Sequence, residues 1–278
     1  DEPNKKLLDR RPVTFSVMGD APYGPKERER MPGQIARIPN TTEFVVHVGD
    51  MKKSGRGCHN ETYGTVAAMF KESRKPFYIV PGDNDWHDCE KPMDAWKLWK
   101  EHFLNFDQNW SKQYKVNYQR GRRENFSFFR RSVLFLGVHV IGEGKHQRSA
   151  KGYHSKAWDR RISDNVSWTA GELKRISTDR KVGAVVIFAH AFPNTRHSKA
   201  CFDEISRLAN EYDIPFLYIQ GDEHSWREDN PFKSDKIRRV VVDRGGIADP
   251  VQVTIDLRNE TVFSFERRKL VQHGLRGS

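Results

Sequence analysis

Four short apolar runs in this chain stop at the same dipeptide. VTFSVMGD (residues 13–20), EFVVHVGD (43–50), PFYIVPGD (76–83) and PFLYIQGD (215–222) all close on Gly-Asp, and GAVVIFAH (183–190) closes on a histidine. Runs this short and this rich in β-branched and aromatic residues read as buried strands. One strand ending in Gly-Asp is an ordinary turn. Four of them, with a strand-end histidine, point to a single shared site. Open α/β sheets bind ligands in the crevice beyond the carboxyl ends of their strands, and glycine lets the chain turn tightly there.

The remaining pattern supports an α/β chain. SVLFLGVHVIG (132–142) reads as a sixth strand. Helices are predicted over 93–106, 168–177 and 201–212, the last carrying a half-buried stripe of Phe202, Ile205, Leu208 and Ala209. RRVVVDRGG, PVQVTIDL and TVFSFERR near the carboxyl end alternate in polarity and predict antiparallel strands closing a second sheet. No repeat or low-complexity linker interrupts the chain. We expect an N-terminal extension over 1–12, one domain over 13–268 and a disordered tail over 269–278.

VPGDNDWHDC (80–89) sharpens the question of the shared site, since it follows a strand with Asp83, Asn84, Asp85, His87, Asp88 and Cys89. Carboxylates gathered at strand ends repel one another unless cations neutralise them. Carboxylates and imidazoles without a thiolate cluster suit a divalent cation such as Zn, Mn, Fe or Mg. Two such cations sharing one carboxylate lie about 3.5–4 Å apart, activate water near neutral pH and clamp an in-line displacement at phosphorus.

In chain order, GDAPY, HVGDMKKSG, PGDNDWHDC, FAH and QGDEHSW resemble the motifs of the calcineurin-like metallophosphoesterase superfamily, which includes purple acid phosphatases and acid sphingomyelinase. The resemblance runs from residue 13 to about 228. More narrowly, it is similar to a subgroup carrying GDxPY, GDxK, GDNEW-x-DC and GDxHxxR. The resemblance implies a four-layer αββα sandwich, two mixed sheets flanked by helices, holding one or two divalent metal ions. It implies Asp20 and His224 as ligands of a first metal, Asp50 as the bridging ligand, Asp83 and His190 at a second, and Asp222 as a further metal residue. Asp83 stands where the superfamily usually has asparagine, and Asp222 replaces the first histidine of GHxH. Pro22 stands at the histidine of DxH, so the first metal loses a ligand; Tyr23 either supplies a phenolate instead or is a packing residue. Asn84 occupies the position of the catalytic histidine, where a carboxamide can hydrogen-bond a phosphoryl oxygen but cannot donate a proton as an acid. His87 is then the nearest general acid, or else a loop histidine. Lys52 is either a phosphate-binding cation or a solvated loop lysine. Asp85 reads as a partner that orients a ligand, His47 and His139 as core histidines, and Trp86 and Trp226 as packing residues.

Composition bears on compartment and partners. Lys and Arg outnumber Asp and Glu by 48 to 37, which gives either a solvated basic surface or attraction of anionic substrates and acidic polymers. No nucleic-acid-binding signature accompanies that charge. Sequons fall at Asn40, Asn60, Asn109, Asn125, Asn165 and Asn259; chance would give roughly one or two. We therefore expect N-glycans and a eukaryotic secretory protein. Three cysteines fit that compartment, with Cys58 paired to Cys89 and Cys201 free. No apolar run reaches the roughly 18–20 residues of a membrane helix. The reading is a secreted metal-dependent hydrolase of phosphate mono- or diesters. Its rivals are a catalytically degenerate binding or structural protein on the same fold, and a basic protein binding acidic glycans.

Overall fold

Strands that are apolar on both faces must be covered on both sides, and this constraint sets the layering. The computed structural model describes residues 7–111, 114–142, 153–193 and 198–268. The expected tail, 269–278, and the first six residues of the expected extension lie outside them.

The strands, in chain order, are β1 (Val13–Met18), β2 (Val45–His47), β3 (Phe77–Ile79), β4 (Asn117–Gln119), β5 (Arg122–Arg130) and β6 (Val133–Gly137). They continue with β7 (Ala184–Phe188), β8 (Phe216–Gln220), β9 (Arg227–Asp229), β10 (Ile237–Val241), β11 (Val251–Ile255) and β12 (Phe263–Glu266). The helices are α1 (Pro25–Ala36), α2 (Asn60–Lys71), α3 (Pro92–Phe103), α4 (Tyr153–Asp179) and α5 (Lys199–Tyr212).

Two mixed sheets result, one ordered β12-β11-β1-β2-β3 and the other β4-β5-β6-β7-β8-β10-β9. Alternate residues of the central strands serve two different cores. Phe15, Val46, Phe135, Val186 and Leu217 meet between the sheets. Val45 and Phe77 face outward instead, against Ile35 of α1, Val66 and Phe70 of α2 and Trp99 of α3. On the far side, Val185, Ile187 and Tyr218 pack against Ile162 and Leu173 of α4 and Ile205 of α5. The layers are therefore helix, sheet, sheet, helix. Within the central core Phe44 stacks on Phe15 at 5.0 Å and meets Phe135 edge-on at 5.1 Å. Deleting a ring of this kind costs about 3–5 kcal/mol.

The carboxyl-terminal strands differ from expectation. β10 pairs parallel with β8 and stays in the seven-stranded sheet, whereas β11 crosses over and pairs antiparallel with β1, followed by β12. They extend both sheets rather than closing one. Val251, Val253 and Ile255 face the shared core, so burial on β1 decides their partner.

Disulfide and glycan expectations separate here. Cys58 and Cys89 are bonded, and Cys201 is free and buried. Asn125 and Asn165 are wholly buried, which overturns the expectation of glycans there. The Asn125 carboxamide donates to Gln119 and Asn165, and that of Asn165 donates to the His139 carbonyl. Neither nitrogen can carry a sugar in the folded protein. Asn40, Asn60, Asn109 and Asn259 are exposed. No described helix is long and apolar enough to cross a membrane.

Candidate metal centre

β1, β2 and β3 run parallel in one sheet and β6, β7, β8 and β10 in the other. The Gly-Asp dipeptides after β1, β2, β3 and β8 and the histidine after β7 come together. Cross-links hold their loops: the Asp20 amide donates to the Gly49 carbonyl, and the Gly221 amide to the His190 carbonyl, each at 3.0 Å.

The glycines act mostly by being small. Of the four, Gly49 alone has positive φ, while Asp20, Asp50 and Asp222 themselves adopt φ of 54°, 61° and 67°. A Cβ at Gly82 would stand 2.1 Å from Asp50 Oδ1, and one at Gly221 would stand 2.5 Å from Asp20 Oδ2. His224 also has positive φ, at 63°. Left-handed backbone at non-glycine residues is strained and gathers at functional sites.

His190 organises the cluster. Its Nδ1–H donates to the Val48 carbonyl at 2.8 Å, which turns Nε2 toward carboxylate oxygens of Asp83 at 3.1 Å, Asp50 at 3.3 Å and Asp222 at 3.8 Å. A backbone acceptor on one ring nitrogen leaves the other free to ligate. Burial pulls the imidazole pKa down, but the Asp50 and Asp83 carboxylates outweigh it and raise it well above the usual value. Burial raises Asp50 well above the carboxylate range, and it raises Asp222 too. At Asp83 burial is outweighed by the hydrogen bond and charge of His190 together with hydrogen bonds from Asp50 and the Asn84 amide, which bring the carboxyl to about 2.

This donor set fits a divalent cation. Asp20, Asp50 and His190 offer ligand atoms within 4.8 Å of one another, as do Asp83, His190 and Asp222. Asp20 is fully buried and its Oδ2 has no hydrogen-bond partner. Among the described residues the ion pairs to these carboxylates come from His190 and His224, not from lysine or arginine.

Other sequence-derived residues fall around that centre. Asp85 accepts the amides of Asp50, Met51 and Gly82 at 3.1, 2.8 and 2.7 Å, so it fixes the loops that carry Asp50 and Asp83. The Asn84 carboxamide donates to Asp50 Oδ2 and its amide to Asp50 Oδ1 at 3.0 Å. Lys52 is buried and its ammonium donates to the Asn84 carbonyl. It is a tether, not a solvated loop lysine. His87 turns to Asp88, 3.7 Å away, and sets its ring against Trp158; none of its described contacts is with the cluster. His47 and His139 are core residues, bonded to the Ala21 carbonyl at 2.8 Å and to Glu124 at 3.1 Å. Trp86 packs on Trp96 and Trp226 on Phe265.

Sequence reasoning gave Tyr23 less than its place. The phenol oxygen lies 3.0 Å from Asp50, 3.1 Å from His224 and 3.2 Å from Asp20. Arg244 covers its ring at 5.0 Å and pairs with Glu27, which accepts the Tyr23 amide. The signal for Arg244 was available, since VVVDRGG is one more strand ending in charge.

A 5′-nucleotidase from Candida albicans superposes with a TM-score of 0.55 at 11% identity, over 92% of this chain and 52% of that one. The fold is that of the calcineurin-like metallophosphoesterases. This chain spans about half the nucleotidase's length. A purple acid phosphatase from yellow lupin seeds (TM-score 0.49, 10% identity, 93% of this chain, 54% of that one) is also similar. So is GAP50, the anchor in the inner membrane complex of Plasmodium (TM-score 0.49, 11% identity, 93% and 89%). No protein-family model matches the chain, and no curated protein matches it.

Proposed function

We propose that the protein is a divalent-cation-dependent phosphoesterase. The observation that carries this is His190 Nε2 facing Asp50, Asp83 and Asp222 at the carboxyl ends of parallel strands. Asp50, Asp83, His190 and Asp222 would hold the cation. When bound, a divalent cation in such a site lowers the pKa of water and neutralises charge on a phosphoryl group.

The chain's own residues do the positioning. Asn84 holds Asp50 by two hydrogen bonds, and Lys52 holds the Asn84 carbonyl. Asn84 is thereby a positioning residue, and protonation of the leaving group falls to water. Substrates with acidic leaving groups, aryl phosphates above all, should be preferred over alkyl phosphates.

The assignment of a secretory compartment rests on the disulfide and the four exposed sequons. A mass shift on treatment with a peptide N-glycosidase tests it. The basic excess of the chain favours anionic substrates.

Hydrolysis of p-nitrophenyl phosphate and its bis-ester, with Zn, Mn, Fe or Mg supplied in turn, tests the central reading. Activity lost in both Asp50→Ala and His190→Ala, with unchanged circular dichroism, supports it. A chain that binds cation but hydrolyses neither ester is the degenerate binding protein. Tyr23 and Asn84, both bonded to Asp50, favour that second reading.

A further inference from the structure

We propose that Tyr23 fills the first cation position with its phenol, so that the chain holds a single divalent cation on the His190 side. This rests on the metal-centre reading above and specifies its stoichiometry.

Both groups of converging donors contain His190, and neither contains His224. His224 is nonetheless 3.4 Å from Asp20 and 3.1 Å from the Tyr23 hydroxyl. The same hydroxyl is 3.0 Å from Asp50 and 3.2 Å from Asp20. Ligands of one small cation, at about 2.0–2.2 Å from it, lie within about 4.4 Å of one another even when opposed. Among the described residues, Asp50 and His224 do not occur together in a group of donors within 4.8 Å. The phenol oxygen lies 3.0–3.2 Å from all three of Asp50, His224 and Asp20, and so crowds the space they would share with a cation.

Hydrogen bonding accounts for that placement without a cation. A phenol has one proton and accepts as well as donates. It donates to Asp50, the nearest carboxylate, and accepts from the Nε2–H of His224.

The side chain is also held from behind. Arg244 lies over the ring at 5.0 Å, and Glu27 binds both the Arg244 guanidinium and the Tyr23 amide. The Arg244 amide in turn donates to the His224 carbonyl at 3.2 Å. At His190, among the described residues, the neighbour is Gly142, whose Cβ position would lie 3.2 Å from Asp83 Oδ2 and 3.5 Å from Asp222.

The test is metal content by mass spectrometry, on full-length wild type, Tyr23→Phe, Tyr23→Ala and His190→Asn, each dialysed against saturating Zn or Mn. We expect one ion per chain in wild type, one in Tyr23→Phe, whose ring still fills the space, two in Tyr23→Ala, and none in His190→Asn. Two ions in wild type falling to one in Tyr23→Phe would overturn the proposal and make the phenol a ligand. One ion in Tyr23→Ala, in a variant whose circular dichroism and unfolding midpoint match wild type, would also overturn it. No ion in wild type under any cation is a different failure, that of the metal-centre reading itself.

Discussion

The two halves of the strand-end crevice are built from the same residue types and are finished differently. On one side His190 faces Asp83 and Asp222, and the described residue beside those carboxylates is a glycine, Gly142. On the other, Asp20 and His224 face a phenol clamped by Arg244. Asp50 serves both, through Oδ1 toward His190 and Oδ2 toward Tyr23. Converging carboxylates thus have two remedies within one site, a cation or a hydrogen-bond donor. The choice turns on whether a neighbouring side chain can reach the middle.

His190→Asn should break the comparison most. Cation affinity should fall by more than the ~100-fold limit of outer-shell changes, read by equilibrium dialysis.

His139 sharpens the contrast, because it is as buried as His190 but meets one carboxylate, Glu124, rather than three. Burial takes its pKa down to about 4, with Arg161 and Arg122 adding to the fall and Glu124 opposing it. The folded protein therefore keeps this imidazole neutral. The stability it contributes is complete above the unfolded value near 6.5 and is lost as pH falls toward 4, by up to about 3 kcal/mol. Urea unfolding between pH 7 and pH 4 should show that loss in wild type and a smaller one in His139→Gln.

Gly82→Ala comes next. Its Cβ would overlap Asp50 Oδ1, so Asp50 must move, and cation affinity should drop roughly 10–100-fold by calorimetric titration. Asp20→Asn should matter least, below ~10-fold, because the Tyr23 side holds no ion. A loss equal to that of His190→Asn would end the distinction between the halves.

Much of this was legible beforehand because it depends on local chemistry. Gly-Asp strand ends and apolar runs each declare themselves in a few residues, and the Cys58–Cys89 pair, 31 residues apart, was expected from the number and position of the cysteines. What stayed hidden depends on distant partners. α1 carries Pro32 and an almost wholly polar sequence, and its buried Met31 and Ile35 gain meaning only against the sheet. α2 did show a signal, Tyr63, Val66, Ala67 and Phe70 at helical spacing. β5 opens in the basic stretch RGRR, which carries no strand pattern, although Phe126 and Phe128 reach the central core. Sequons at Asn125 and Asn165 looked like any others, since burial is not written in three residues. The reach of Tyr23 into the crevice was invisible for the same reason, being fixed by Glu27 and Arg244 from far along the chain.

Anomalous diffraction from crystals grown with Zn or Mn tests the central claim most directly. The account predicts one peak within about 2.0–2.3 Å of His190 Nε2, shared with Asp50, Asp83 and Asp222. No peak at His190, or a second peak between Asp20 and His224 with the phenol displaced or ligating, would contradict it.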